Sequence, residues 1–348
     1  MLTPTAALVQ QKLRHAVRFK MLLLALLTLL AALFALKTGP MPLTTAELFS
    51  CVFEGCADPL QQSIVMDIRL PRVLLALSAG AGLALCGAML QNITRNPLAD
   101  PYLFGLMSGA ALGATVVTLL LPMLKLDAQW LQWTLPLGAF VGAMVAVALV
   151  MTLSWRFGFG RIEALILSGV AVSFMLSSIS TLLLYVAEPF AANRVMFWLM
   201  GSLARADYQA LSLILPLVAL ALLLMAVFRR QLNAMQLGDE GATALGVPVN
   251  ALRLGLLLCC AAITAGIVAY CGGIAFVGLM VPHVIRAIFG SNTLPLMLGC
   301  AIGGGWFLLG VDTLARSALP NQEIPLGVIT SALGSLFFIV IMLGRYRR

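Results

Sequence analysis

The residues that could do covalent, metal or phosphate chemistry are few in this chain and dispersed. The two histidines, His15 and His283, are far apart in sequence. A lone histidine can ligate iron or haem, but His283 directly follows Pro282 with no second ligand beside it. It reads instead as a hydrogen-bonded packing residue. The four lysines, Lys12, Lys20, Lys37 and Lys125, do not sit in a G-x-x-x-x-G-K-[ST] frame, so the chain has no phosphate-binding loop of its own. Of the seven cysteines, Cys86, Cys259, Cys260, Cys271 and Cys300 lie in apolar runs and read as small buried hydrophobes. Cys51 and Cys56 share a polar segment, where they are either a disulfide or two free thiols. No Ser-His-Asp set, paired-carboxylate cleft or metal-ligand cluster appears. The expectation is a chain that is not an enzyme and binds no cofactor.

The elements that must position the remaining polar residues are hydrophobic helices. Of 348 residues, 61% are hydrophobic and 10% charged, against roughly 25% charged in an average soluble domain. Mean hydropathy is +1.04. A bilayer relieves such a chain of hiding its apolar surface, at about 20 residues per spanning helix. Ten apolar runs fall at 21–36, 73–91, 103–124, 135–153, 162–187, 209–228, 254–271, 274–289, 294–319 and 325–343. Only Gly272-Gly273 separates the seventh from the eighth. The fold class is therefore an all-α integral membrane protein of about ten transmembrane helices. It forms one domain over 1–348, with a cytosolic tail at 1–20 and a cytosolic loop at 229–253.

The net charge of +8 could suggest nucleic acid. The charges instead form short clusters between apolar runs, as topology signals do, and no basic stripe with interleaved aromatics is present. With the N-terminus inside, fourteen of the 21 Lys and Arg residues fall inside and the rest outside, and Arg345, Arg347 and Arg348 put the C-terminus inside too. The first run ends at Lys37-Thr-Gly-Pro40 without a small-x-small cleavage site, so it reads as a span and not a signal peptide.

Small residues recur every fourth position: Ala76, Gly80, Ala84 and Ala88; Gly105, Gly109 and Gly113; Gly138, Gly142 and Ala146. In lipid such rows permit close backbone approach, which drives helix association. No Asp, Glu or Lys falls near the middle of a span, Asp312 and Arg316 being the nearest. A proton- or ion-coupled carrier ordinarily needs such groups, so that class is disfavoured. A membrane receptor or scaffold is the remaining rival, and a neighbouring ATPase gene would argue against it.

Four motifs carry more information. They are Asp67-Ile-Arg69-Leu-Pro71-Arg72, Arg95-Asn96-Pro97-Leu98-Ala99-Asp100-Pro101, Phe276-Val-Gly278-Leu-Met-Val-Pro282-His283 and Glu323-Ile-Pro325-Leu-Gly327. In this order, over about residues 40 to 343, the chain resembles the FecCD-type permease family, the membrane subunits of importers for ferric siderophores, haem and cobalamin. The resemblance implies a type II ABC importer bundle in the bacterial inner membrane. It implies a second copy or close paralogue, two ATPase subunits inside that carry ATP and Mg, and a periplasmic binding protein outside. An iron chelate is the expected cargo, with cobalamin as the alternative.

The resemblance also implies roles. Arg69, Arg72 and Arg316 would meet carboxylates of the binding protein, a task suited to the planar guanidinium fork. Otherwise they are interfacial anchors. Reversing Arg69 and Arg72 to Glu is expected to abolish transport with assembly intact. Gly238, Asp239, Glu240, Gly241, Ala244, Leu245 and Gly246 would form the helix that fits an ATPase cleft. There the acids suit a helix start, Gly246 a helix end and Pro248 a stop. Asn96 and Leu98 would sit at the cytoplasmic gate, in a loop stiffened by Pro97 and Pro101. Residues 158–161 are a further candidate for that gate.

Overall fold

The computed structural model describes every residue except 1–3, 40, 42, 54, 57, 121–127, 159–161, 321 and 347–348. The described residues form helices, with one isolated bridge between Leu319 and Gln322. In order these are α1 Pro4–Lys37, α2 Thr45–Phe53 and α3 Pro59–Ser63. A π-helical turn, Ile64–Arg69, leads into α4 Leu70–Thr94. A 3-10 turn, Pro101–Phe104, precedes α5 Leu106–Leu120, followed by α6 Ala128–Gly158, α7 Ile162–Val186 and α8 Pro189–Leu199. The remainder are α9 Tyr208–Val227, α10 Arg229–Met235, α11 Asp239–Ala244, α12 Val249–Cys271, α13 Val277–Phe289, α14 Thr293–Ser317 and α15 Leu326–Tyr346.

Eight of these helices contain stretches long and apolar enough to cross a membrane, and α5 and α13 are shorter apolar helices. At 1.5 Å per residue the latter two reach about 22 and 20 Å, short of a hydrocarbon core of about 30 Å. All ten lie where the sequence places apolar runs. The narrowest division is real and has a steric cause. α12 stops because Gly272 takes φ +70, and a Cβ there would strike the Trp198 carbonyl. Two segments read from sequence as tail and loop carry helix. α1 begins at Pro4, so the stretch expected as a tail is continuous with the first span. The expected 229–253 loop is occupied by α10, α11 and the first turn of α12.

α4 is the centre of the bundle, buried along nearly its whole length and packed by α9, α12, α13 and α14. Its small residues make this possible. A Cβ on Gly80 would run into the carbonyl of Gly304 on α14, and one on Gly87 into that of Gly278 on α13. The other two small-residue rows pack on each other: Gly109 faces Gly142 and Gly113 faces Gly138, carbonyl against Cα. These contacts involve backbone atoms, which no rotamer change can clear. Gly142→Val is therefore expected to destabilise the subunit by about 1–3 kcal/mol through overpacking. The readout is a lower thermal unfolding midpoint in detergent.

A disulfide joins Cys51, in α2, to Cys56 beyond its end. His283 packs edge-on against the Phe337 ring at 5.6 Å between centroids, a packing environment.

Candidate functional site

Helix α4 carries a polar cluster at each end, and its 25 residues separate them by about 37 Å. The cluster at its N-terminal end gathers the three arginines singled out from sequence. Arg69 and Arg72 arrive from the π-helical turn and the first turn of α4. Arg316 comes from the last turn of α14.

The three are placed inward. Arg72 is 8% exposed, and all three of its guanidinium nitrogens donate. Nε and Nη2 donate to Asp312 at 2.9–3.1 Å, while Nη1 and Nη2 donate to Glu323 at 2.8 and 2.9 Å. Two bidentate carboxylate pairs thus share one arginine, the geometry its fork is built for. Arg69, 4% exposed, donates from Nη1 to the carbonyls of Leu36 and Lys37 and from Nη2 to that of Met41. Arg316 donates to the carbonyls of Ala35 and Thr38, and its Nε lies 3.5 Å from Asp312. Helix α1 ends at Lys37, and its last carbonyls have no intrahelical donor. Arg69 and Arg316 supply those donors and place positive charge at the negative end of the helix dipole.

Asp312 and Glu323 are the residues of this cluster that sequence reading left without a role. The signal for Glu323 is present, since it opens the fourth motif. Its pairing with Arg72 across 251 positions is invisible along the chain. The Arg72 hydrogen bonds hold the Glu323 carboxyl below its ordinary value of 4.5. A depressed folded pKa means that this stabilisation is present above pH 4.5. It is lost as pH falls through the lower folded value. Glu323→Gln is therefore expected to remove part of the acid-side decline in the unfolding midpoint of the wild-type subunit between about pH 5 and 3. Parallel thermal scans across that range test this.

At the C-terminal end, α4 terminates on Arg95, a non-glycine residue in the left-handed region at φ 51. The next turn is shaped locally, because Asn96 Oδ1 accepts from the Leu98 amide at 2.9 Å. Leu98 is 43% exposed. Asp100, buried beyond it, caps the 3-10 turn by accepting from the Tyr102 amide, and burial pushes its carboxyl up to about 6. Of the further gate candidate at 158–161, residues 159–161 lie outside the described residues.

α11 stands beside this turn. Gly238 precedes it at φ +105, and Gly246 follows it at φ +79. The Gly246 and Val247 amides donate back to Thr243 and Ala242, which closes the last turn of the helix. Ala242 is fully buried and anchors the helix, while Glu240, Ala244 and Gly246 are exposed and Gly238, Asp239 and Gly241 half-buried. Leu245, 64% exposed, and Leu237, 71% exposed, bracket the helix with apolar side chains. Sequence reading gave Leu237 no role. Asp239 turns towards the bundle: its Oδ1 accepts from Arg253 at 2.8 Å and lies 3.1 Å from Arg95.

A described groove opens on the same side of the fold as Glu323. It has a volume of 310 Å³ and is bordered by Arg194, Trp198, Arg205, Tyr270 and Glu323.

The model of the FecCD transport family matches residues 26–344. Among curated proteins, the chain is 38% identical over 330 residues to the hemin transport system permease protein HmuU of Yersinia pestis, covering 92% of this chain and 95% of that one. It is 36% identical over 284 residues to the cobalamin import system permease protein BtuC of Halobacterium salinarum, covering 82% and 74%. Among solved structures, it is similar to a metal-chelate type ABC transporter in an inward-facing conformation. There the TM-score is 0.77, with 30% identity and coverage of 94% of this chain and 99% of the other.

Proposed function

The chain belongs to the FecCD transport family, and from that premise we propose that it is the permease subunit of an ATP-driven importer that carries an iron chelate across the bacterial inner membrane. The observation that carries this reading is the agreement over nearly the full length of both chains with a hemin permease. The similarity to a metal-chelate type transporter supports the same cargo class. A cobalamin cargo is the second reading, favoured by the 36% identity to a cobalamin permease.

In this mechanism the bundle is a conduit, and the energy comes from two ATPase subunits that bind ATP and Mg. A second copy or a close paralogue completes the path. Both termini are cytosolic, which the clustering of Lys and Arg supports. A periplasmic binding protein docks at the end of the bundle where Arg69, Arg72 and Arg316 lie, and because these side chains are buried and bound to the subunit's own atoms they act there by holding that surface in shape and setting its charge. Three guanidiniums there outnumber the two carboxylates of Asp312 and Glu323, and the surplus positive charge suits an acidic partner. The ATPase receives Gly238, Asp239, Glu240, Gly241, Ala244, Leu245 and Gly246, with Leu237 as an added apolar contact. Asn96 and Leu98 close the cytosolic end, a role supported by their position beside α11.

The test is reconstitution with the neighbouring ATPase and binding protein in liposomes. ATP-dependent entry of haem or a ferric siderophore, with hydrolysis stimulated by the loaded binding protein, is the expected result. Uptake of cobalamin alone would select the second reading. Uptake without ATPase would defeat both.

A further inference from the structure

The proposed function needs motion at α11 to reach the turn at Asn96 and Leu98, and nothing in a short, solvent-facing helix explains how it does so. Three side chains bridge that gap. Arg253, 9% exposed on α12, donates from Nε to the Ile93 carbonyl in the last turn of α4 at 3.0 Å, and from Nη2 to Asp239 Oδ1 at 2.8 Å. Arg95, the cap of α4, brings Nη2 to the same oxygen at 3.1 Å. A single carboxylate oxygen at the first residue of α11 therefore gathers cations from α12 and from the end of α4. Arg95 is followed at once by the Asn96–Leu98 turn.

The two arms differ in strength. The Asp239 and Arg95 side chains are 42% and 44% exposed, and such a surface pair contributes little. The Arg253 side chain is 10% exposed and tied to a buried carbonyl, so that arm is short and held in place at its Arg253 end, while its Asp239 end stays half-exposed. The Arg253 arm runs from α11 through a rigid guanidinium to the backbone of α4, one turn before the gate residues.

We infer that Arg253, clamped between Asp239 of α11 and the Ile93 carbonyl of α4, is the positioning residue that transmits movement of the ATPase-facing helix to the Asn96–Leu98 turn, with Arg95 as a secondary arm. This rests on the proposed importer function and adds the route by which the two ends of its cytosolic face communicate.

The test uses the complete importer in liposomes and reads molecules of chelate delivered per ATP hydrolysed. Arg253→Met keeps the aliphatic length and removes the fork. It is expected to lower that ratio roughly tenfold, the order of the coupling between two contacting residues, while hydrolysis by the assembled complex persists. Arg253→Lys, which keeps the charge but cannot hold both partners, should fall between Arg253→Met and wild type. Asp239→Asn should lower the ratio similarly, and the Asp239→Asn/Arg253→Met double variant should be no worse than the poorer single variant. A purely structural role would instead reduce the yield of complex and leave the ratio unchanged. A wild-type ratio in Arg253→Met, or additive losses in the double variant, would overturn the link. If Arg253→Met fails to assemble, Asp239→Asn and Arg253→Lys give the same reading, because each retains the local volume. Failure of the wild-type complex to import any chelate would count against the proposed function instead, and the two failures are therefore distinguishable.

Discussion

Arg72→Glu is expected to leave little folded subunit in the membrane, and with it no transport. The wild-type guanidinium satisfies Asp312, whose side chain is fully buried, and Glu323 at the same time. Removing one partner of a buried, hydrogen-bonded pair costs about 3–5 kcal/mol. Reversal goes further, because it sets three carboxylates against one another at the start of the most buried helix. Against total stabilities of roughly 5–15 kcal/mol, this is enough to remove most of the native population. The expected order of folded yield in detergent-solubilised membranes is wild type, then Arg72→Lys, Arg72→Met and Arg72→Glu. Arg72→Lys keeps the charge but loses the bidentate fork. Full yield of Arg72→Glu would show that the network is dispensable. This revises the expectation that reversing Arg69 and Arg72 would spare assembly. That expectation treated both arginines as solvent-facing, whereas both are buried and bound to the subunit's own atoms. Lost uptake in such variants is therefore read as lost docking only when folded yield is retained.

Ala244→Trp is expected to have the opposite profile, with the subunit intact and transport lost. Ala244 is exposed on α11, away from the buried Ala242 that anchors the helix. A surface substitution of this kind changes stability by no more than about 0.5 kcal/mol. If the exposed face of α11 fits a cleft on the ATPase, an indole there prevents close approach. Disrupting one central, well-packed contact costs about 2 kcal/mol or more, roughly a thirtyfold loss of productive engagement. Chelate uptake and binding-protein-stimulated hydrolysis should both fall, with a wild-type unfolding midpoint. Unchanged uptake and stimulation would make α11 a plain connector.

The ten apolar helices were legible because their signal is local. Each run of about twenty apolar residues declares itself within its own window. Even the Gly272-Gly273 break is written in the dipeptide, and the structure adds only the Trp198 carbonyl that forbids a side chain there. The four-residue glycine rows were equally plain, although which row meets which was not. The short α11 was legible from Asp239, Glu240, Gly246 and Pro248, since its start and stop are matters of capping. The short helices α2, α3 and α8 were not, because segments of five to eleven residues carry too few turns to show a period.

The chain's own pattern thus established a membrane bundle, its ten apolar helices and the small set of polar residues worth asking about. Tertiary structure alone decided what those residues touch. Arg69 and Arg316 lie more than two hundred positions apart yet cap the same helix end. Arg72 meets Glu323 across 251 positions, and Arg253 reaches Ile93 across 160. The physical reason is that the propensities shaping a helix act over a few residues. The partner of a buried charge is set by how helices pack. An arginine at a helix end reads the same in sequence whether it faces a partner protein or the last carbonyls of its neighbour.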